Sequence, residues 1–253
     1  QERFGLPVIY IEFNCPGDPL AQDLLSLIGS TAKAAPLVPK PSLPTLAQGD
    51  ELTFRDIATA IKCEVGDTPV TFPALARSWP HDLWPQHEPM DFLGKDGGGG
   101  IGSGPGLAVG AALALKGSGR FVIATLGDGD TLMGVTALWT AAKYNLPVLF
   151  VIGNNRSYFN DELHQESVAK TRGRNPDNAW VGQRLDDPAP DIAQMSRAQG
   201  VAADGPIKTR DELNRAVAAG IAALRDGKPY LIDVWIDSRQ GRETAAIRAT
   251  KTT

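Results

Sequence analysis

The chain has 253 residues, of which 42% are hydrophobic and 21% charged, with a formal net charge of −4. That length suits one large domain or two small ones, and the composition is that of an ordinary globular protein. A slightly acidic chain offers no basic footprint for nucleic acid, apolar runs such as 147–152 are too short to cross a bilayer, and two cysteines, Cys15 and Cys63, are too few for a disulfide scaffold or a cysteine metal site. Both read as buried or incidental thiols in a reducing, cytoplasmic setting.

The chain begins at Gln1 without a signal or transit pattern. The apolar run 6–13 reads as a strand, and 1–34 as the remnant of a preceding unit. Pro36, Pro39, Pro41 and Pro44 then interrupt any periodicity, which predicts a semi-rigid linker over 35–50. The main domain is expected over 51–237. A helix at 53–62 would put Phe54, Ile57, Ala58 and Ile61 on one face. A strand at 69–72 and an Ala/Leu-rich helix at 107–116 follow. The run 120–126 is apolar nearly throughout, as a strand buried on both faces should be. A helix at 131–144 leads to a second buried strand at 148–152. Helices near 191–199 and 211–225 and a strand at 230–236 complete the pattern. Alternating strands and helices predict an α/β domain: a mainly parallel sheet, helices on both faces, right-handed crossovers. The basic tail 238–253 reads as a solvated terminus, with a lid over an active site as the alternative.

The strongest chemical signal is Gly127-Asp128-Gly129, followed after one helix and one strand by Asn154-Asn155. Asp128 would stand just beyond one buried strand and Asn155 just beyond the next. If those strands are parallel neighbours, both side chains project into the crevice where open α/β sheets bind ligands. The flanking glycines permit a tight turn and a close ligand approach. A helix starting near Thr131 would aim its N–H groups at the same place, which favours phosphate. A carboxylate and an amide oxygen, with no His or Cys beside them, suit Mg²⁺ or Ca²⁺ and not zinc. Mg²⁺ takes several of its ligands from substrate phosphates and water, so the pattern predicts a metal-bridged diphosphate.

This motif resembles the cofactor-binding motif of thiamine-diphosphate-dependent enzymes. The stretch Ala137-Leu-Trp-Thr-Ala-Ala-Lys-Tyr-Asn-Leu-Pro-Val-Leu-Phe-Val-Ile-Gly-Asn-Asn155 is similar to that of the branch containing benzoylformate decarboxylase and acetolactate synthase, and the likeness covers roughly 51–237. The resemblance implies Mg²⁺ held by Asp128, the side chain of Asn155 and the carbonyl of Ser157. Gly127, Gly129 and Asn154 would shape the diphosphate pocket. Asp130 departs from the family, where a small or hydroxylated residue is usual, and is expected to turn away and cap the following helix. The loop Gly97-Gly-Gly-Gly-Ile-Gly-Ser-Gly-Pro-Gly106 has the spacing of a dinucleotide fingerprint but no good strand before it. Aligned with the family, Gly100, Ile101 and Gly102 belong beneath the thiazolium ring, with Ile101 forcing the cofactor into its bent form.

Asp161 falls where some relatives carry an active-site acid, and would orient substrate or relay a proton; Glu162 and His164 are weaker candidates. All three equally suit the solvated or capping start of a helix. His81 and His87 are expected to pack between tryptophans, and Trp139 and Trp235 to lie in the core. The family's glutamate that drives deprotonation of the thiazolium comes from a pyrimidine-binding domain, and no segment here matches it. The resemblance therefore implies a partner domain from elsewhere, in a homodimer or homotetramer. The expected activity is thiamine-diphosphate- and Mg-dependent decarboxylation or carboligation of a 2-oxo acid. The alternatives are a lyase acting on 2-hydroxy ketones or acyl-CoA thioesters, and a non-catalytic binding or assembly module.

Overall fold

The structure, a computed structural model, describes residues 51–94 and 100–237. The expectations for 1–34, 35–50, Cys15, Gly97 to Gly99 and the tail 238–253 lie outside the described residues. Strands β1 (Val70–Thr71), β2 (Phe121–Gly127), β3 (Val148–Asn154), β4 (Ala202–Ile207) and β5 (Tyr230–Trp235) form one sheet in the order β1-β2-β3-β5-β4, every pair parallel. The helices are α1 (Phe54–Val65), α2 (Gly104–Ala114), α3 (Asp128–Gly134), α4 (Ala137–Lys143), α5 (Phe159–Thr171), α6 (Ile192–Ala198) and α7 (Arg210–Arg225). None of the described helices is long and apolar enough to cross a membrane.

Strand alternation divides the interior in two, because successive side chains point to opposite faces. Ile123, Leu149, Val151 and Ile232 meet Ile57 and Ile61 of α1 and Val217 and Ile221 of α7 on one face. On the other, Val122, Ala124, Val148 and Phe150 meet Ala108 and Ala112 of α2, Leu138 and Ala141 of α4 and Ile192 of α6. Each such large side chain, fully buried, contributes roughly 1.5–3 kcal/mol relative to exposure. All seven residues of β3 are buried, which makes it the hub of the sheet. Thr53 starts α1 with a capping box, its side chain and that of Asp56 each satisfying the other's backbone N–H. Asp56 also receives Arg210 of α7 at 3.1 Å, clamping the two helices of that layer together.

Several expectations need correction. The helix predicted over 131–144 is two, and the first begins at Asp128, not near Thr131; it stops at Gly134, a residue that gives up the most backbone freedom inside a helix. Strand β4, Ala-Ala-Asp-Gly-Pro-Ile, was hidden by Gly205 and Pro206, which only an edge strand tolerates, and its register shifts between Asp204 and Ile207. Trp139 is 52% exposed, with Lys143 one turn away over its ring at 4.8 Å. Trp235 is half-buried, stacked by Arg156 at 4.6 Å and Lys208 at 4.2 Å. Finally, Phe72, Trp79 and Trp84 pack on one another while His81 and His87 are both exposed, and Cys63 is exposed as well.

Candidate functional site

β2 and β3 end level with each other, Gly127 paired with Gly153. Asp128 therefore leaves the sheet beside Asn154 and Asn155. The loop after β3 makes two successive side-chain turns. The backbone N–H of Arg156 donates to Asn154 Oδ1 at 3.1 Å, and that of Ser157 donates to Asn155 Oδ1 at 3.1 Å, the local bonding that favours Asn in turns. Arg156 adopts a left-handed φ of 59°, uncommon for a residue with a side chain. The same Ser157 N–H also donates to Asp128 Oδ2 at 3.0 Å. One donor shared by two oxygens means that the Asp128 carboxylate and the Asn155 amide oxygen converge on one small volume.

Burial pushes the Asp128 carboxyl up to about 6, although the backbone N–H groups of Gly129, Ser157 and Arg156 oppose the shift. Asp128 is only 3% exposed, so its charged form has lost most of its water. A cation at that point would restore the balance. Asn154 is committed elsewhere: its Nδ2 donates to Asp233 Oδ1 of β5 at 3.0 Å. Asp233 is buried in turn, and burial pushes its carboxyl up to about 6, against the hydrogen bond from Asn154 and with the charge of Asp128 adding to the rise.

These strand ends open into a cleft of about 430 Å³, within the range of small-molecule sites. Of the predicted residues, Ile101, Gly127, Asp128, Gly129 and Asp130 line it, as do Asn155, Ser157 and Asp161. Gly100, Gly102 and Asn154 are not among the lining residues. Tyr158 lies across Gly129 so closely that any side chain there would enter its ring. Asp130 does not cap its own helix: its Oδ1 accepts from Gly102 N at 2.6 Å and Gly104 N at 3.4 Å. It thereby ties down the glycine loop, in which Gly102 has a φ of 98°, and the start of α2. The first turn of α3 is partly spent internally, since Gly129 N donates to Asp128 Oδ1 at 3.0 Å. That weakens the expectation of a helix N-terminus aimed wholly at phosphate.

Glu162 is a structural residue: its Oε2 accepts from Ser157 Oγ at 3.1 Å and its Oε1 from Arg184 at 3.2 Å. It holds the loop of Asn155 and Ser157 against the 183–185 segment, where Tyr158 N donates to Gln183 O at 2.8 Å and Leu185 N to Arg156 O at 2.8 Å. His164 is exposed and outside the cleft wall. Tyr158, Asp233 and Arg77 were not found by sequence reasoning. Asp233 had a usable signal, a carboxylate within an otherwise apolar strand; Tyr158 had its place in the segment 156–165 that follows the motif, which by resemblance lines the substrate side of the cofactor; Arg77 had none.

A parallel sheet with a cleft at the carboxyl ends of adjacent strands marks the class of α/β proteins that bind ligands at that edge. Residues 75–234 match the family described as thiamine pyrophosphate enzyme, C-terminal TPP binding domain, and the chain belongs to that family. It is 38% identical over 141 residues to benzoylformate decarboxylase of Pseudomonas aeruginosa, covering 54% of this chain and 23% of that one. It is 33% identical over 161 residues to an acetolactate synthase large subunit of Parasynechococcus marenigrum, covering 62% and 24%. Among solved structures, the thiamine diphosphate-dependent 4-hydroxybenzoylformate decarboxylase of Rhodococcus jostii RHA1 superposes with a TM-score of 0.64 at 25% identity, covering 85% of this chain and 38% of that one. The chain thus spans about a quarter of the length of these two curated relatives.

Proposed function

We propose that this chain supplies the diphosphate- and Mg²⁺-binding half of the active site of a thiamine-diphosphate-dependent enzyme that decarboxylates or carboligates a 2-oxo acid. The observation that carries the proposal is the convergence of Asp128 and Asn155 on the N–H of Ser157, at the ends of two paired strands. The donor chemistry fits. Both groups are hard oxygens, and among the described residues no cluster of three or more His, Cys, Asp or Glu offers a competing metal site. Two side chains and the Ser157 carbonyl would leave the remaining positions of an octahedral Mg²⁺ to diphosphate and water. When bound, thiamine diphosphate supplies the electron sink for cleaving a bond next to the substrate carbonyl.

The chain's own residues do the holding. Asp128 stays ionised when its burial is compensated by the cation. Gly127 and Gly129 let the diphosphate approach the backbone, and Asn154 fixes the loop behind it through Asp233. Gly100, Ile101 and Gly102 form the support for the ring, with Asp130 as their anchor. Asp161, on the first turn of α5 at the cleft wall, orients substrate or relays a proton. The domain itself occupies 51–237, with 1–34 and 35–50 as a middle-domain remnant and linker. The partner is a pyrimidine-binding domain, completing the site in a homodimer or homotetramer.

Calorimetric titration with thiamine diphosphate, with and without Mg²⁺, on wild type and Asp128→Ala tests the proposal. Metal-dependent binding lost in the variant is expected. Metal-independent binding, or an unchanged variant, would overturn the assignment of Asp128. If the chain alone binds nothing, the same titration with its pyrimidine-binding domain present decides whether the motif is dead.

A further inference from the structure

The cleft is acidic. Asp128, Asp130, Asp161 and Asp237 all line it, and among the described residues Arg77 is its only basic side chain. The other arginines that form ion pairs, Arg55, Arg120, Arg184 and Arg210, each face a carboxylate. Arg77 has no such partner among the described residues. Its position is nonetheless fixed. One residue before it, Ala76 N donates to Thr125 Oγ1 of β2 at 3.0 Å, and two residues after it Trp79 is 4% exposed. The backbone is held on both sides while the guanidinium is left over.

An acidic cleft that admits an anion must neutralise it. A cation at Asp128 and Asn155 supplies one positive centre, and Asp130 is spent on the N–H groups of Gly102 and Gly104. The remaining positive charge is Arg77, whose planar fork matches two oxygens of a carboxylate or phosphate. We propose that Arg77 is the anion-recognising residue of this cleft, pairing through its guanidinium with two oxygens of a bound carboxylate or phosphate. The assignment rests on the cleft being the cofactor site. It leaves two sources for the anion: the outer phosphate of the cofactor, or the carboxylate of a 2-oxo acid.

Titrations of the full chain, wild type, Arg77→Gln and Arg77→Lys, separate them. The probes are inorganic pyrophosphate with Mg²⁺, thiamine diphosphate with Mg²⁺, and benzoate as a carboxylate that cannot react. Because Arg77 is exposed, both variants should fold as wild type does. Loss of roughly tenfold or more in affinity for both phosphate probes in Arg77→Gln, partly recovered in Arg77→Lys, assigns the phosphate. Unchanged phosphate binding with a similar loss for benzoate assigns the carboxylate. Arg77→Gln that binds all three probes as wild type does overturns the inference and leaves the cofactor site standing. Wild type that takes up neither phosphate probe even with the pyrimidine-binding domain present sinks the cofactor reading, while benzoate still reports on Arg77; binding of none of the three under that condition overturns both.

Discussion

Replacing Asp233 by Asn should make the metal-free protein more stable, by an amount that grows with pH. Asp233 is 1% exposed, and its carboxyl is pushed up to about 6 by burial, from an ordinary value of 3.8. The fold therefore binds the proton more tightly than the unfolded chain does. Nothing is lost below the unfolded value; the loss grows as pH rises and is complete above the folded value. A displacement of about two pH units corresponds to about 3 kcal/mol against the fold. The amide introduced by Asp233→Asn would keep an oxygen for Asn154 Nδ2, now 3.0 Å from Asp233 Oδ1, and would carry no charge next to Asp128. Urea unfolding followed by tryptophan fluorescence, in chelator at about pH 3 and about pH 8, brackets the two values and is the assay. The variant should match wild type within error at the lower pH and exceed it by about 2–3 kcal/mol at the higher, a midpoint shift on the order of 1 M urea. A variant less stable than wild type at the higher pH, or a difference equal at the two values, would refute the reasoning. The first result would mean that Asp233 is favoured in its charged form, the second that folding leaves its proton affinity unchanged.

Gly129→Ala should drive the new methyl into the Tyr158 ring, costing about 1–3 kcal/mol and weakening Mg²⁺-dependent cofactor binding; adding Tyr158→Ala should recover the stability, and a thermal melt showing no recovery would locate the clash elsewhere. Asp130→Ala should cost about 1.5–3 kcal/mol by stripping Gly102 N and Gly104 N of their charged acceptor, whereas Asp130→Asn should retain much of it; equal losses in urea unfolding would show that the acceptor is not what matters.

The helical face of α1 and the apolar strands β2 and β3 were legible because period and burial coincide: Phe54, Ile57, Ala58 and Ile61 are all buried, and so is the whole of β3. The motif residues were legible because strand ends are, and β2 and β3 end where their apolar runs end. What escaped notice depended on partners remote in sequence. Asp130 has the composition of a cap, yet its acceptor is used by a loop 28 residues earlier. Trp139 has the composition of core, but its helix turns it outward. The link from Asn154 to Asp233 spans 79 residues, and no local pattern announces it. Arg77 looks like any surface arginine until the cleft wall is assembled around it.

The two margins of the sheet bear on how copies of this domain can meet. β1 offers only two residues to a neighbour, and β4 is broken by a register shift beside Pro206, which has no N–H to donate. Neither margin presents the long, flat row of open donors and acceptors that templates strand-to-strand growth. Among the described residues the sheet thus offers little generic backbone to a neighbour, and self-association through them would fall to side chains, set by sequence.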